Sequence, residues 1–326
     1  ESVPSAKLLL LANYRPEYRY EWGQKTYYTQ LRLTPLGRAE AEELLDELLD
    51  NTVGAGLVTA QSEGAHKGTP LPSLKQLILD KTEGTPFFIE EIVQELVEQK
   101  VLIRTEEGEG HRSRPSEPVG GIIPQPPPAL QLPTTVQGIL AARIDRLTSD
   151  EKALLQQLAV IGREFPLRLI RRVIIHPEDE LFRLLSSLQR KEFLYEQPAF
   201  PEVEYLFKHA LTQEVAYNSV LLEHRKVLHE QTGQAIEQLY RDRLEEHYRE
   251  LAHHYSRSGS TEKAIEYLHK AGQQAVQNLA HAEAISYFIT ALDLFKTLPE
   301  TLERGQRELS LQLTLAASLQ VTKGPS

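Results

Sequence analysis

The segment from Lys81 to Glu91 joins a flexible turn to the start of a helix, and such a turn can press backbone against a flat ligand. Gly84 permits a positive φ and a close approach, while Pro86 sets φ for the first helical turn. Apolar residues then recur at helical spacing: Phe87, Phe88, Ile89, Ile92, Val93, Leu96 and Val97. The local sequence leaves two interpretations of Gly84, Thr85 and Pro86 open, an ordinary helix start or a ligand contact.

Arg15 is a second residue whose position could matter for binding. It follows Lys7–Asn13, a run that is apolar from Leu8 to Ala12 and predicts a strand buried on both faces of a parallel sheet. Folds built on such sheets bind ligands beyond the carboxyl ends of their strands. The planar guanidinium of Arg15 could pair with a terminal phosphate, or the residue could be an ordinary surface arginine.

The histidines and paired acids of the chain offer less specific chemistry. His209 follows a predicted hairpin, where a histidine either contacts a ligand or serves a structural role. His253 and His254 are neighbours on a predicted helix and diverge by about 100°, so we interpret them as structural or surface residues. For the same reason we interpret the pairs Glu90-Glu91 and Glu245-Glu246 as solvated helix faces, with no role as an acid/base dyad.

Several catalytic motifs are absent from the sequence. There is no Gly-x-x-x-x-Gly-Lys-Ser/Thr loop, His-Glu-x-x-His, Gly-x-Ser-x-Gly or Cys/His metal pattern. The first of these is the main phosphate-binding loop of P-loop enzymes. We therefore expect no catalysis from this chain alone.

Composition indicates a globular chain of two or three domains, because its 326 residues are 40% hydrophobic and 25% charged. The net charge of -10 and the absence of a long basic block argue against nucleic acid as a main partner. The chain has no cysteine, which favours a reducing cytoplasm, and no run near the ~20 apolar residues of a membrane span. Methionine is also absent, even at position 1, so we expect a segment of a longer protein.

The elements that position these residues predict a mainly α chain. We expect strands in residues 1–33, then helices from about Ala39, Leu74 and Pro86 within 34–105, and a Pro/Gly-rich linker over 106–132. In residues 133–211, four predicted helices precede two short β-prone runs. Helices followed by a hairpin are typical of a winged-helix domain, here from Asp150 to about His209.

Residues 212–326 are helical in pattern and contain an internal echo. Ala264-Ile265-Glu266-Tyr267-Leu268 is repeated in kind by Ala284-Ile285-Ser286-Tyr287-Phe288, and Pro299 follows the second helix. Such helices resemble tetratricopeptide repeats, which bind proteins. The echo is shorter than the ~34 residues of that repeat, so either the array is irregular or the alignment joins unlike helices.

Several segments in order resemble the STAND signal-transduction ATPases, as in multidomain bacterial adenylate or guanylate cyclases with tetratricopeptide repeats. The matching segments are Leu8–Tyr18, Lys81–Glu91, Thr135–Leu147, Val160–Phe165 and Tyr205–Tyr217. The resemblance implies that 1–33 ends a truncated P-loop ATPase core and that 34–105 is its helical lid. It also implies an upstream P-loop and possibly a cyclase domain, outside this chain.

The resemblance assigns roles to five residues. Arg15 resembles a sensor of the γ-phosphate, Gly84-Thr85-Pro86 the turn whose proline packs on adenine, and His209 the winged-helix histidine that holds the β-phosphate of ADP. The implied cofactor is ATP or ADP, with magnesium in the longer protein. The implied function is a regulatory segment of a nucleotide-dependent switch, with protein partners on the helical repeats.

Two other classes of function stay open. A winged-helix transcription regulator would bind DNA, although the predicted helix Glu178–Arg190 mixes acids with its arginines. A helical-repeat scaffold would bind proteins without any nucleotide.

Overall fold

The computed structural model describes residues 35–50, 74–99, 133–199 and 202–323. They belong to two compact units, 1–129 and 130–326. Within these ranges the protein is mainly helical, as the sequence predicts, with thirteen α-helices, one 3-10 helix and three short strands. Arg15, the rest of the predicted strand region 1–33 and the predicted linker 106–132 lie outside the described residues.

Three helices make up the described part of the first unit: α1 (Arg38–Asp50), α2 (Leu74–Thr82) and α3 (Pro86–Glu98). All three pack against one another. Their shared core consists of apolar side chains at helical spacing, namely Ala41, Leu45, Leu49, Ile78, Phe88, Ile89, Ile92, Val93 and Leu96. The three helices begin within one residue of their predicted starts.

The acids of α3 correct one sequence prediction. Glu91 is only 2% exposed and Glu95 only 1%, so the predicted solvated face does not exist at these positions. The reason is that α3 is buried around most of its circumference, whereas the prediction assumed one buried stripe. Glu245 and Glu246 are exposed, as predicted.

The second unit begins with α4 (Val136–Asp145), α5 (Ser149–Ile161), β1 (Glu164–Pro166), α6 (Leu167–Val173) and α7 (Glu178–Arg190). Helix α5 starts with a capping box in which the Thr148 hydroxyl accepts from the Glu151 amide and the Glu151 carboxylate accepts from the Thr148 amide. Thr148 is thus the cap residue of α5. Gly162, at φ +155, ends the helix.

A three-stranded antiparallel sheet completes this part of the unit. Strands β2 (Leu194–Gln197) and β3 (Glu204–Phe207) form the predicted hairpin, with Leu194 opposite Phe207. Strand β1 pairs with the other edge of β3, which gives the order β1-β3-β2. Phe165 of β1 and Phe207 of β3 are fully buried and meet edge to face at 6.0 Å between ring centroids, which joins the sheet to the helical core.

Helices fill the rest of the unit, as the sequence predicts: α8 (Ala210–Asn218), α9 (Leu222–Leu239), a 3-10 helix (Arg241–His247), α10 (Tyr248–Tyr255), α11 (Thr261–Gln277), α12 (His281–Phe295) and α13 (Leu302–Lys323). Helix α10 packs on α11, α11 on α12 and α12 on α13, so α10 to α13 form a helical array. Helix α9 packs on the first helix of this array. The echoed segments lie in α11 and α12. They are therefore successive helices of the array, which explains their short spacing.

Candidate functional site

Gly84 adopts the positive φ that the sequence allows, at +73°, but the chain itself fills one side of the turn. The Leu36 amide donates to the Gly84 carbonyl at 2.8 Å. A Cβ at Gly84 would lie 2.1 Å from the Leu36 carbonyl oxygen, a distance that no side chain could tolerate. The close approach at Gly84 is therefore to Leu36, and a ligand would have to contact another part of the turn.

Thr85 and Pro86 form the accessible part of this turn. Both are exposed, and Pro86 occupies the first position of α3 after the cap residue Thr85. The turn is fixed because the Thr85 amide donates to Thr82 and the Thr85 carbonyl accepts from Phe88 and Ile89. The Pro86 ring is thus held in one orientation at the surface of the described residues.

A small cavity borders the other side of the turn. Its volume is about 200 Å³, and its lining includes Leu36, Arg38, Leu79, Asp80 and Gly84. Thr85 and Pro86 do not line it. The cavity is thus separate from the exposed proline.

His209 lies where the sequence predicts, directly after β3. It is the residue before α8, with an extended backbone at φ -135° and ψ 145°. Its carbonyl accepts from the Thr212 amide, and the preceding Lys208 amide donates to the Phe193 carbonyl at 3.0 Å. The hairpin and α8 together therefore fix the position of the half-buried imidazole.

The surroundings of His209 are electropositive. Burial, and then the positive charges of Lys208, Arg143 and Arg163, lower the pKa of His209 to about 4, while Glu192 opposes them. The imidazole is consequently neutral at pH 7. Lys208 pairs with Glu192 at 2.7 Å, which offsets part of its positive charge beside the ring.

Arg143 is held in place by contacts that the sequence does not reveal. Its side chain is only 2% exposed, and its guanidinium donates to the Lys191 carbonyl at 2.7 Å and lies over the Phe193 ring. The Lys191 ammonium in turn pairs with Glu151 at 2.6 Å. Burial alone would raise the pKa of Glu151, but hydrogen bonds from Lys191, Ser187 and the Thr148 amide lower it to about 2. This network fixes α4 against the loop that follows α7.

A group of histidines lies farther along the second unit. His254 is buried, and its Nδ1 lies 3.0 Å from Nδ1 of His229, which is fully buried. His253 is exposed. The interpretation of His253 and His254 as structural or surface residues thus fits both. Nothing in the sequence around His229 points to its partner 25 residues later.

The sequence-predicted site residues fall in different parts of the chain. Gly84, Thr85 and Pro86 are contiguous in the first unit, His209 belongs to the second, and Arg15 lies outside the described residues. Arg143 and Arg163 are additions from the structure, since sequence spacing does not predict that their charges act on His209.

Two further features concern metal binding and membrane-spanning helices. Residues 35–50, 74–99, 133–199 and 202–323 contain no group of three histidine or acidic side chains that could hold a metal ion. Within that part of the chain, no helix combines the length and the apolar character that crossing a bilayer requires.

No family model matches this chain, but a curated protein is similar to it. An uncharacterized protein of Rhizobium meliloti (strain 1021) is 28% identical over 299 residues. The similarity covers 90% of this chain but only 26% of that protein. The chain therefore spans about a quarter of the length of the curated relative that it matches.

Proposed function

We propose that the chain is the regulatory segment of an ATP/ADP-dependent signal-transduction switch of the STAND type. In this proposal Thr85 and Pro86 contact adenine, and His209 contacts the β-phosphate of ADP. The P-loop, the magnesium ion and an output domain such as a nucleotide cyclase belong to other parts of a longer protein.

The environment of His209 is the observation that carries the proposal. A neutral imidazole with arginines at 143 and 163 attracts a polyphosphate, since those charges favour an anion next to the ring. The neutral ring carries one N–H group, which can donate a hydrogen bond to a phosphate oxygen. A bound phosphate would also favour the protonated ring and strengthen the contact.

The order of elements around His209 supports its proposed place in a winged helix. Strand β1 lies between α5 and α6 along the chain, α7 follows, and β3 of the hairpin pairs with β1. This order of elements supports the proposed winged helix, in which His209 would lie at the end of the wing. The domain would fold back in the ADP state and be released when ATP replaces ADP.

The turn before α3 supports the adenine contact more weakly. Pro86 is exposed and rigid, and its ring offers a flat apolar surface of the kind on which a base can pack. Gly84 contributes indirectly, because its contact with Leu36 fixes the turn.

The helical array is proposed to receive the signal as a tetratricopeptide domain. Small residues between successive helices allow the close packing that such repeats use. Gly272 of α11 is an example, because a Cβ there would lie 2.3 Å from the Phe288 ring of α12. A protein bound to the array would bias the switch by the difference in its affinity for the two states.

The test is His209→Ala in the full-length protein. We expect faster ADP release and weaker ADP affinity, measured by displacement of a fluorescent ADP analogue, because the variant loses the β-phosphate contact. His224→Ala is the matched control, since His224 is exposed on α9. Unchanged ADP affinity and activity in His209→Ala would refute the proposal.

A further inference from the structure

Three side chains from three helices form a continuous hydrogen-bonded chain in the second unit. The Tyr217 hydroxyl of α8 lies 2.9 Å from Nε2 of His229 on α9, and Nδ1 of His229 lies 3.0 Å from Nδ1 of His254 on α10. His254 also hydrogen-bonds the backbone of Ile161, the last residue of α5. We call Tyr217, His229 and His254 the histidine clasp.

One assignment of the protons satisfies every contact of the clasp. His254 can bond a carbonyl only by donating, and its Nδ1 already faces His229, so Nε2 donates to Ile161 and Nδ1 accepts. His229 must then donate from Nδ1, which leaves its Nε2 to accept from the Tyr217 hydroxyl. Every ring nitrogen has one role in this arrangement, and both imidazoles are neutral. A proton added to Nδ1 of His254 places two donors face to face and breaks that bond, whereas a proton added to Nε2 of His229 makes the Tyr217 hydroxyl the acceptor and puts a buried charge in the clasp.

The clasp joins the sheet-containing part of the unit to the helical array. Helix α5 belongs to the former and α10 to the latter, while α8 and α9 lie between them along the chain. Both imidazoles are almost fully buried, with His229 at 0% exposure and His254 at 3%. The bonds are therefore shielded from water, and a charge on either ring would lack solvation.

Several charged groups face the clasp from the neighbouring elements. Arg225 of α9 lies over the Tyr217 ring at 4.1 Å, and Arg257, which follows α10, acts on both histidines. His253 of α10 lies beside both rings, with its centroid 5.9 Å from that of His229 and 5.3 Å from that of His254. The arginines oppose protonation.

A cavity lies beside His254 at the inner end of the clasp. Its volume is about 460 Å³, and His254 forms part of its lining. Its other titratable lining residues are Glu164, Arg168, Glu204, Tyr240, His247 and Glu250.

We propose that the histidine clasp is a proton-sensitive lock that holds the helical array to α5 and α8 at neutral pH and releases it on acidification. The proposal does not depend on the nucleotide function. It concerns a local opening at the junction in which His229 and His254 become solvated. As the pH falls, the equilibrium constant for this opening should rise more than the opening constant of the sheet-containing core.

The sign of the pH response follows from the protonation states. Burial, and then neighbouring cationic groups, lower the pKa of His229 to about 3 and that of His254 well below its ordinary value. Solvated histidines titrate near 6.5, so the opened state binds more protons below that pH. The contribution of the clasp to the stability of the closed state is therefore complete above about pH 6.5, and it declines as the pH falls. From pH 7.5 to 5.0 the opening constant should rise about 30-fold for each histidine, or about 1,000-fold for both.

Hydrogen exchange on the whole chain at pH 7.5 and 5.0, corrected for intrinsic amide rates, measures this opening. In the wild type, the opening constant of amides in α9 and α10 should rise about 1,000-fold, while amides of α7 should change much less. His229→Gln removes one titrating group, so the rise should shrink to about 30-fold. His224→Gln, on the same helix but exposed, should behave as the wild type.

Tyr217→Phe provides an independent check, because it leaves both histidines in place. It should raise the opening constant at pH 7.5 about five-fold through the lost hydroxyl bond and leave the ratio between the two pH values unchanged. The proposal is overturned if the wild-type ratio is near one, if α7 opens equally, or if His229→Gln keeps the wild-type ratio. No change in Tyr217→Phe at pH 7.5 would also contradict it.

Discussion

At the scale of single residues, Gly84 shows how one backbone position can fix a turn. Its positive φ brings its carbonyl to the Leu36 amide, and this bond ties the segment before α1 to the turn before α3. The neighbouring Glu83 also has a positive φ, at 48°, but is exposed. Both residues have a positive φ, but Gly84 is buried and Glu83 is exposed. Substitutions at the two positions should therefore have different effects.

Gly84→Ala should destabilise the first unit by about 2 kcal/mol or more, because alanine tolerates a positive φ poorly and its Cβ would overlap Leu36. Hydrogen exchange in α1, α2 and α3 would report the loss as reduced protection. Glu83→Gly is the matched control, since it relieves the same kind of backbone strain without a clash, and its effect should stay within about 1 kcal/mol. Equal protection in wild type and Gly84→Ala would contradict this account.

The sequence predicted single residues well where one local rule applied and poorly where a distant contact decided. The position of His209 after the hairpin followed from local β propensity. The partnership of His229 with His254 could not be predicted, because it depends on how α9 packs on α10. Glu91 was assigned to a solvated face because hydrophobic periodicity detects one buried stripe and cannot detect a helix that is enclosed.

At the scale of elements, the packing of the array depends on small residues at helix contacts. Gly272 of α11 faces the Phe288 ring of α12, and Gly233 of α9 faces Tyr255 of α10, where a Cβ would lie 2.9 Å from the ring. Phe288 is fully buried. Each pair sets a large ring against a bare backbone, so the distance between the two helices depends on the glycine.

Gly272→Ala should therefore destabilise the second unit by about 1–3 kcal/mol, since the added methyl forces Phe288 away from its position between α11 and α12. Gly305→Ala is the matched control on α13, where a Cβ meets nothing within 4 Å. That control should be stabilising by about 0.5–1 kcal/mol, because alanine favours the helix. Urea unfolding followed by circular dichroism compares the two, and a neutral Gly272→Ala would show that Phe288 repacks freely.

A helix or strand could be predicted from the sequence where its pattern of apolar and polar residues extended over enough residues to be recognised. Helix α7 has its predicted bounds, and the β2-β3 hairpin lies where the β-prone runs and the proline-containing turn indicated. Strand β1 was missed because a three-residue strand is too short to show alternation. Its pairing with β3 is a tertiary contact across about 40 residues of chain, and local pattern carries no signal for it.

At the scale of the whole molecule, α8 connects the two features on which the proposals depend. His209 precedes its first turn and Tyr217 lies near its end, so a movement of the hairpin would reach the histidine clasp through one short helix. The Gln213 side chain of α8 also donates to the Ala159 carbonyl of α5 at 2.7 Å. Contact with a phosphate at one end and release of the array at the other would then be linked by a single rigid element.

The overall charge leads to a last prediction, which separates the nucleotide switch from a DNA-binding winged helix. Helix α7 would be the DNA-reading helix, yet its first turn carries Glu178, Asp179 and Glu180. Arg171 pairs with Glu178, and Arg183 lies 3.7 Å from Glu180, so these arginines are already partly neutralised. With a net charge of -10, the chain should repel phosphate backbones on this face.

A gel shift with random duplex DNA at low salt should therefore show no binding by the wild-type chain. A variant with lysine at 178, 179 and 180 reverses the charge of the first turn of α7 and should bind weakly, in a manner that salt abolishes. That variant also verifies that the assay can detect binding through this face. Tight, salt-sensitive binding by the wild type would favour the transcription regulator instead, because the acidic turn would then have to lie away from the DNA.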